Sequence, residues 1–549
     1  MRIRVYLPHM IVRTIISAAL LYQGTAGSQN RPVNSPIHPK AYERLSPRFR
    51  HAMNRENLIQ TVKYVAGTRS TFLLSEIAGY MDKPILVEQV YRELLPHLSA
   101  LGLRAQKTGN DYEISKIPPG RPYLLSPSEE KLVTAFLVGR TFPPALEQAI
   151  EAYVEKKTGK DRTDPVMLER LRRAIVAQKT DYWKEPGRRR LRYTKGYDVL
   201  GYLAYHFPVY FMQTEHLLAM LARDGLLKQS MTILDVGTGP GVVPLAIPDF
   251  WSRLDNAKAS VWSVERSEEN IEAFLFLRDA FVPRGGRVSV KPPVKADIRE
   301  GLPASIPETV DLIVCSNVLN ELALPAEDHR VNLVKDLAGR LEPDGTILII
   351  EPADKENSTR MRELSIALEK RGLAIYRPCT FISGSRCDPA RCWSFISAPP
   401  IRPTRIMDTL AACDEPFRYV NTDIKYSYAV LRRDGRRSAV CRIPARSKSL
   451  PLSNVHPHTG KRVNIIATKI SEELGNAKTH VFLLCDGTSR EPVYAILPGY
   501  HTTPANKELL SAHSGSILEL QNVLVRYNKA HDAFNLLVNR NTIISLLHS

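Results

Sequence analysis

The sequence predicts a multidomain α/β protein. A doubly wound parallel sheet forms its centre, with a helical region and a winged helix before it and a small β-barrel of the oligonucleotide-binding type after it. Three observations carry this prediction. From Met231 onward, strands such as TILDVG, SVWSVE, VDLIVCSN and GTILIIEP alternate with helical stretches, as in a parallel sheet with helices on both faces. Over 57–115, three stretches with apolar residues at helical spacing run into an alternating segment broken by Gly109-Asn110-Asp111, which reads as three helices and a hairpin. Over 460–549, short strands recur at regular spacing, as in a small barrel.

The chain has 549 residues, enough for several domains at ~100–200 residues each. The boundaries expected are a disordered leader over 1–47, a winged-helix-like domain over 48–117, a helical region over 128–230, the sheet domain over 231–434 and the barrel over 460–549. The leader imitates a secretory signal, with Arg2 and Arg4 before an apolar stretch. Arg13 interrupts that stretch, however, and Pro, Ser, Asn and Arg dominate the residues between it and Arg50, so disorder is the expectation. No run of about 18 apolar residues lacks a charge, which argues against a membrane-spanning helix. Seven cysteines, an odd number in a long chain, fit a reducing compartment rather than a disulfide framework, and the cytoplasm is the expected location.

A net charge of +18 favours a polyanionic partner, because a basic surface releases counterions from phosphates on binding. The most basic segment is 182-YWKEPGRRRLRYTKGY-197. Arg188, Arg189, Arg190 and Arg192 stand there among Tyr182, Trp183, Tyr193 and Tyr197. Guanidinium groups pair with phosphates and aromatic faces stack on unpaired bases, a mixture suited to RNA; the alternative is a solvated loop with buried aromatics. The third helix of the winged module, with Gln89 and Arg92 on its polar side, offers a second nucleic-acid contact or a protein-binding face.

The first strand of the sheet enters 235-DVGTGPG-241, where Gly237, Gly239 and Gly241 let the backbone turn tightly and approach a ligand. The third glycine comes one residue too early for a dinucleotide fingerprint. The spacing resembles the G-x-G-x-G loop of class I S-adenosylmethionine-dependent methyltransferases, with Asp235 in that family's acidic position. Glu265 ends the second strand, where an acidic side chain accepts hydrogen bonds from ribose hydroxyls. In that resemblance Asp297 falls where the adenine amine is contacted, and Asn317, after the fourth strand, lies at the mouth where the methyl acceptor would sit. Ser316-Asn317-Val318-Leu319 matches neither the Pro-Pro-Tyr pattern of exocyclic-amine methylation nor the Pro-Cys pattern of cytosine C5 methylation, so the acceptor is unnamed.

The stretch 379-CTFISGSRCDPARCWSF-395 places three cysteines at C-x7-C-x4-C, too widely spaced for the C-x2-C knuckles of structural zinc. An iron–sulfur cluster, which needs four thiolates, fits irregular spacing better, and Cys413, Cys441 and Cys485 are candidates for the fourth. Zinc is the alternative metal.

Taken together, LDVGTGPG, DLIVCSNVLNEL, LEPDGTILIIEP, the cysteine stretch and KYSYAVLRR are similar to the methyltransferase-like family of small-ribosomal-subunit assembly factors, whose mitochondrial members associate with the mitoribosomal small subunit. The likeness covers roughly 128–434 and resumes near Cys485; this chain looks like a prokaryotic-type member with an added winged helix. The resemblance implies a class I methyltransferase core, S-adenosylmethionine, and a 4Fe-4S cluster on Cys379, Cys387, Cys392 and, from the barrel, Cys485. It also implies the small subunit and its rRNA as partners, and either rRNA methylation or a non-catalytic assembly role. The chain departs from the family at Phe381-Ile382 and at Cys392-Trp393-Ser394, where the family often carries histidines.

Overall fold

The computed structural model describes residues 55–69, 71–78, 87–98, 101, 103–116, 120–182, 196–322, 327–413, 417–438 and 448–548. The expected leader, the basic residues Arg188, Arg189, Arg190 and Arg192, and Cys441 lie outside the described residues.

The N-terminal module contains α1 (Arg55–Thr68), β1 (Thr71–Leu73), α2 (Leu74–Ala78), α3 (Val87–Leu98), β2 (Leu103–Thr108) and β3 (Asp111–Lys116). The strands pair antiparallel in the order β1-β3-β2, so the hairpin expected around Gly109 gains a third strand from the short segment between α1 and α2. Leu58, Val62, Leu74, Ile77, Val90, Leu94 and Ile114 form a core of its own. This is a winged helix. Its third helix presents Glu88 beside Arg92 at 3.7 Å, which offsets the positive charge that a groove-reading helix would offer to phosphates.

Five helices come next: α4 (Pro127–Gly139), α5 (Pro144–Thr158), α6 (Pro165–Tyr182), α7 (Tyr197–Tyr205) and α8 (Phe207–Arg223). Ser126 and Glu129 form a reciprocal capping box at the start of α4. The Glu129 carboxylate also accepts from the Asp255 N–H at 2.7 Å, tying this region to the sheet domain. Helix α8 is packed on nearly every side, so that burial extends even to Gln213, Thr214 and Glu215.

The sheet domain runs β4 (Ser230–Val236), α9 (Val242–Trp251), β5 (Lys258–Glu265), α10 (Glu268–Phe281), β6 (Val288–Val290), β7 (Val294–Lys295), β8 (Val310–Ser316), α11 (Glu327–Ala338), β9 (Leu341–Pro352), α12 (Lys355–Glu369), β10 (Ala374–Arg377), β11 (Ile396–Ala398), α13 (Arg405–Ala411) and β12 (Ile424–Arg432). The strand order is β10-β12-β9-β8-β4-β5-β6, with β7 beside β5 and β11 beside β12. Strands β6, β5, β4, β8 and β9 run parallel, whereas β12 is antiparallel to both β9 and β10. The order reverses at β4, which places a crevice outside the carboxyl ends of β4 and β8.

Alternate residues of the central strands face opposite cores. Ile233, Leu312, Leu348 and Ile350 pack toward α8 and α9, while Leu234, Ile313, Ile347 and Ile349 pack toward α11 and α12. This is the class I methyltransferase core expected from the glycine loop. The cysteine stretch is an insertion between β10 and β11.

The C-terminal unit contains β13 (Ser449–Leu450), β14 (Arg462–Lys469), β15 (Thr479–Cys485), β16 (Val493–Pro498), α14 (Glu508–Ser511), β17 (Ile517–Asn528), β18 (Ala533–Leu537) and β19 (Ile543–His548). Strands β14, β15, β16, β18 and β17 pair in that order, and β17 returns to β14, closing a five-stranded barrel. The β16–β18 pair is parallel and the remaining pairs of the ring are antiparallel. Closure removes the open edges that five short strands would otherwise present. Among the described residues no helix is long and apolar enough to cross a membrane.

Candidate cofactor loop and cysteine cavity

Asp235 sits near the end of β4, buried, with Oδ2 lacking a hydrogen-bond partner among the described residues. Burial lifts its carboxyl from 3.8 to about 7. Beyond it, Gly237, Gly239 and Gly241 all have positive φ. At Gly241 a Cβ would overlap the Phe274 ring on α10, so glycine is what lets that helix close on the loop. A Cβ on Gly239 would meet nothing within 4 Å, so this side of the loop is open.

Glu265, at the end of β5, accepts from the Gly239 N–H at 2.9 Å and from the Ser267 N–H at 2.8 Å, so this carboxylate is held against the glycine loop. Asp297 accepts from Arg299 Nε at 2.9 Å, and this bond holds its carboxyl down at about 2. It therefore stands ionised and already paired beside the end of β7. Asn317 follows β8 in the left-handed region, at φ 52, and its N–H donates to Ile350 O at 2.8 Å. The four positions that sequence spacing grouped thus lie at the carboxyl ends of β4, β5, β7 and β8.

Glu351 was not anticipated. It ends the apolar run of β9, and Oε1 accepts from the Leu319 and Asn320 N–H groups at 3.1 and 3.2 Å. Oε2 and both polar atoms of the Asn320 side chain are buried without partners among the described residues. Burial raises the Glu351 carboxyl to about 8, so at neutral pH it is a hydrogen-bond donor as well as an acceptor. An acidic residue closing the apolar run Ile347–Ile350 was the available signal.

The four cysteines singled out from sequence line one cavity of about 50 Å³, with Arg362 among its walls. Cys379, Cys387 and Cys392 come from the insertion, and Cys485 is the last residue of β15 in the barrel. Across this junction the Ser383 N–H donates to Asp486 O at 2.9 Å, and the Arg386 and Cys387 N–H groups donate to Gly487 O at 2.7 and 3.0 Å. The Thr380 and Thr468 hydroxyls meet at 2.5 Å, and Arg391 pairs with Asp532 at 2.8 Å. Burial, then mutual repulsion, raises the Cys387 thiol to about 12. Burial raises Cys379 to about 11 and also lifts Cys392 and Cys485. The Gly487 N–H donates to Cys485 Sγ at 3.3 Å.

Among the described residues no group of three or more His, Cys, Asp or Glu side chains is placed to hold a metal ion. Cys413 is elsewhere, its Sγ 3.5 Å from Leu410 O, and Cys315 is buried within β8.

Residues 196–459 match the family model described as mitochondrial small ribosomal subunit Rsm22, in agreement with the resemblance read from the motifs. Residues 55–107 and 453–547 match the N-terminal and C-terminal domains of one family of unknown function, so the winged helix and the barrel are matched as two parts of a single family. Solved structures similar to this chain include a methyltransferase from Pyrococcus furiosus, at 14% identity over 38% of this chain and 77% of that one, with a TM-score of 0.23. NSun6 from Pyrococcus horikoshii, with SFG, is 13% identical over 41% of this chain and 51% of that one, with a TM-score of 0.25. The YcgJ protein of Bacillus subtilis is 14% identical over 40% of this chain and 98% of that one, with a TM-score of 0.24. No curated protein matches the chain.

Proposed function

Starting from the match of 196–459 to the Rsm22 family, we propose that this chain is an S-adenosylmethionine-binding, iron–sulfur-containing protein of the cytoplasm that acts on the small ribosomal subunit, methylating its rRNA or assisting its assembly. The observation that carries the reading is the meeting of four cysteines from two domains in one cavity beside a class I core.

S-adenosylmethionine, when bound, supplies an electrophilic methyl group. The glycine loop would receive it, Glu265 would accept from its ribose hydroxyls and Asp297 from its adenine amine, with Asp297 shared between that amine and Arg299. Asn317 and Glu351 flank the mouth where an acceptor would be aligned, and alignment is most of what methyl transfer requires.

Cys379, Cys387, Cys392 and Cys485 would hold a 4Fe-4S cluster. Four thiol side chains around one cavity of about 50 Å³ support this reading, with zinc as the alternative metal. The partner is structured RNA, through the basic segment around Arg188, Arg189, Arg190 and Arg192 and through the barrel, with the winged helix as a further nucleic-acid contact.

The paired state of Asp297 and the missing acceptor motif after β8 favour one second reading, a non-catalytic assembly scaffold on the same fold.

Crosslinking of the protein to cellular RNA, with bound positions mapped, tests the reading together with a comparison of rRNA modification in a deletion strain. Crosslinks within small-subunit rRNA and one lost methyl group support an enzyme. Crosslinks without a lost methyl group support the scaffold. Crosslinks confined to DNA or to unrelated RNA overturn both. Charge reversal of Arg188, Arg189 and Arg190 should weaken RNA binding and flatten its salt dependence.

A further inference from the structure

We propose that Arg362 is the buried counter-charge of the group held by the four cysteines, donating hydrogen bonds to its sulfur atoms and so setting its reduction potential. The inference rests on the iron–sulfur reading above and adds to it a residue from outside the cysteine stretch.

Arg362 lies on α12, is 2% exposed and lines the cavity beside the cysteines. Its Nη2 donates to Tyr428 O and toward the Ser427 hydroxyl on β12, which fixes the guanidinium plane. Nε and Nη1 are buried and make no hydrogen bond to the described residues. A guanidinium cannot shed its proton to escape burial, so donors left open beside a cavity call for an anion. Arg391 lines the same cavity but turns to Asp532.

Four thiolates around iron and sulfide, or around zinc, leave a net negative charge, and that charge would meet the two open donors. A fixed cation stabilises the more negative, reduced form most. Hydrogen bonds and net charge near the sulfurs are the levers by which proteins move such potentials.

The test uses the full chain, purified anaerobically, with iron and sulfide measured first. Wild-type protein lacking both overturns the iron–sulfur reading itself, before any variant is considered. With the cluster present, a reductive titration followed by electron paramagnetic resonance compares Arg362→Gln and Arg362→Lys with wild type. Loss of the charge should shift the one-electron reduction equilibrium about tenfold toward the oxidised form, or about 59 mV. The lysine variant should recover most of that shift. Arg362→Gln with full iron content and an unmoved potential would reduce Arg362 to a core residue and overturn the proposal while the cluster stands. Should the glutamine variant lose its iron, the lysine variant decides: retained iron near the wild-type potential supports the charge role, and loss of iron there too overturns it.

Discussion

Replacing Gly487 by alanine tests how the barrel is held against the cysteine insertion. Gly487 has φ +84, and an added Cβ would overlap Gly384 O and come within 3.0 Å of Phe381 Cα. Both are backbone atoms, so no side-chain rotation relieves the contact. Placing an alanine in the left-handed region costs about 1–2 kcal/mol. Two cross-junction hydrogen bonds, from the Arg386 and Cys387 N–H groups, end on Gly487 O. At about 0.5–1.5 kcal/mol each, their loss brings the total to roughly 2–5 kcal/mol. Hydrogen exchange over 379–395 should then accelerate roughly 30- to 5,000-fold, at about 1.36 kcal/mol per factor of ten, and iron content should fall with it. Local exchange is the suitable readout because a chain of several domains need not unfold in one step. Gly239→Ala, which meets nothing within 4 Å, is the comparison and should leave this junction unchanged. Wild-type exchange and iron content in Gly487→Ala would refute the reasoning.

Gly241→Ala should weaken S-adenosylmethionine binding at least about tenfold by calorimetry, since the Cβ collides with Phe274 at φ +95; unaltered affinity would place the cofactor elsewhere. Cys485→Ser should release the cluster and leave the other three thiols titratable by a thiol reagent, whereas retained iron would show that the barrel supplies no ligand. Asp235 gives a pH signature. Its carboxyl binds a proton more tightly folded than unfolded, so its stabilising contribution is complete below about pH 4 and is lost as pH rises through about 7. The urea midpoint of the transition that exposes the sheet domain, followed by hydrogen exchange over β4 in the cofactor-free protein, should therefore decline across that window, and less so in Asp235→Asn. An identical slope in the variant would count against a buried neutral carboxyl.

Much of the architecture was legible because it arises from local chemistry. Three glycines after an apolar strand report a backbone that must bend and leave space, and Glu265 is legible because its distance along the chain is fixed by one helix and one strand. The antiparallel β12 and the choice of β14 and β17 as the pair that closes the expected barrel were not legible, since pairing between distant strands leaves no mark on either strand's period. The same holds for the mouth of the crevice. Glu351 reads as the polar end of a strand, and its importance depends on the loop from Asn317 to Asn320 folding over it.

The sequence by itself determined the glycine loop, the alternation that builds a doubly wound sheet, the basic charge and the C-x7-C-x4-C stretch, because each is a property of neighbours along the chain. The residues alone left Cys413, Cys441 and Cys485 open and the resemblance named Cys485; the tertiary structure brings Cys485 to one cavity with Cys379, Cys387 and Cys392, and it alone shows that Arg362 brings two open donors to the wall. Those are meetings of an insertion, a helix and a barrel strand, set by how two domains pack, and packing brings together charges and thiols that no spacing rule relates.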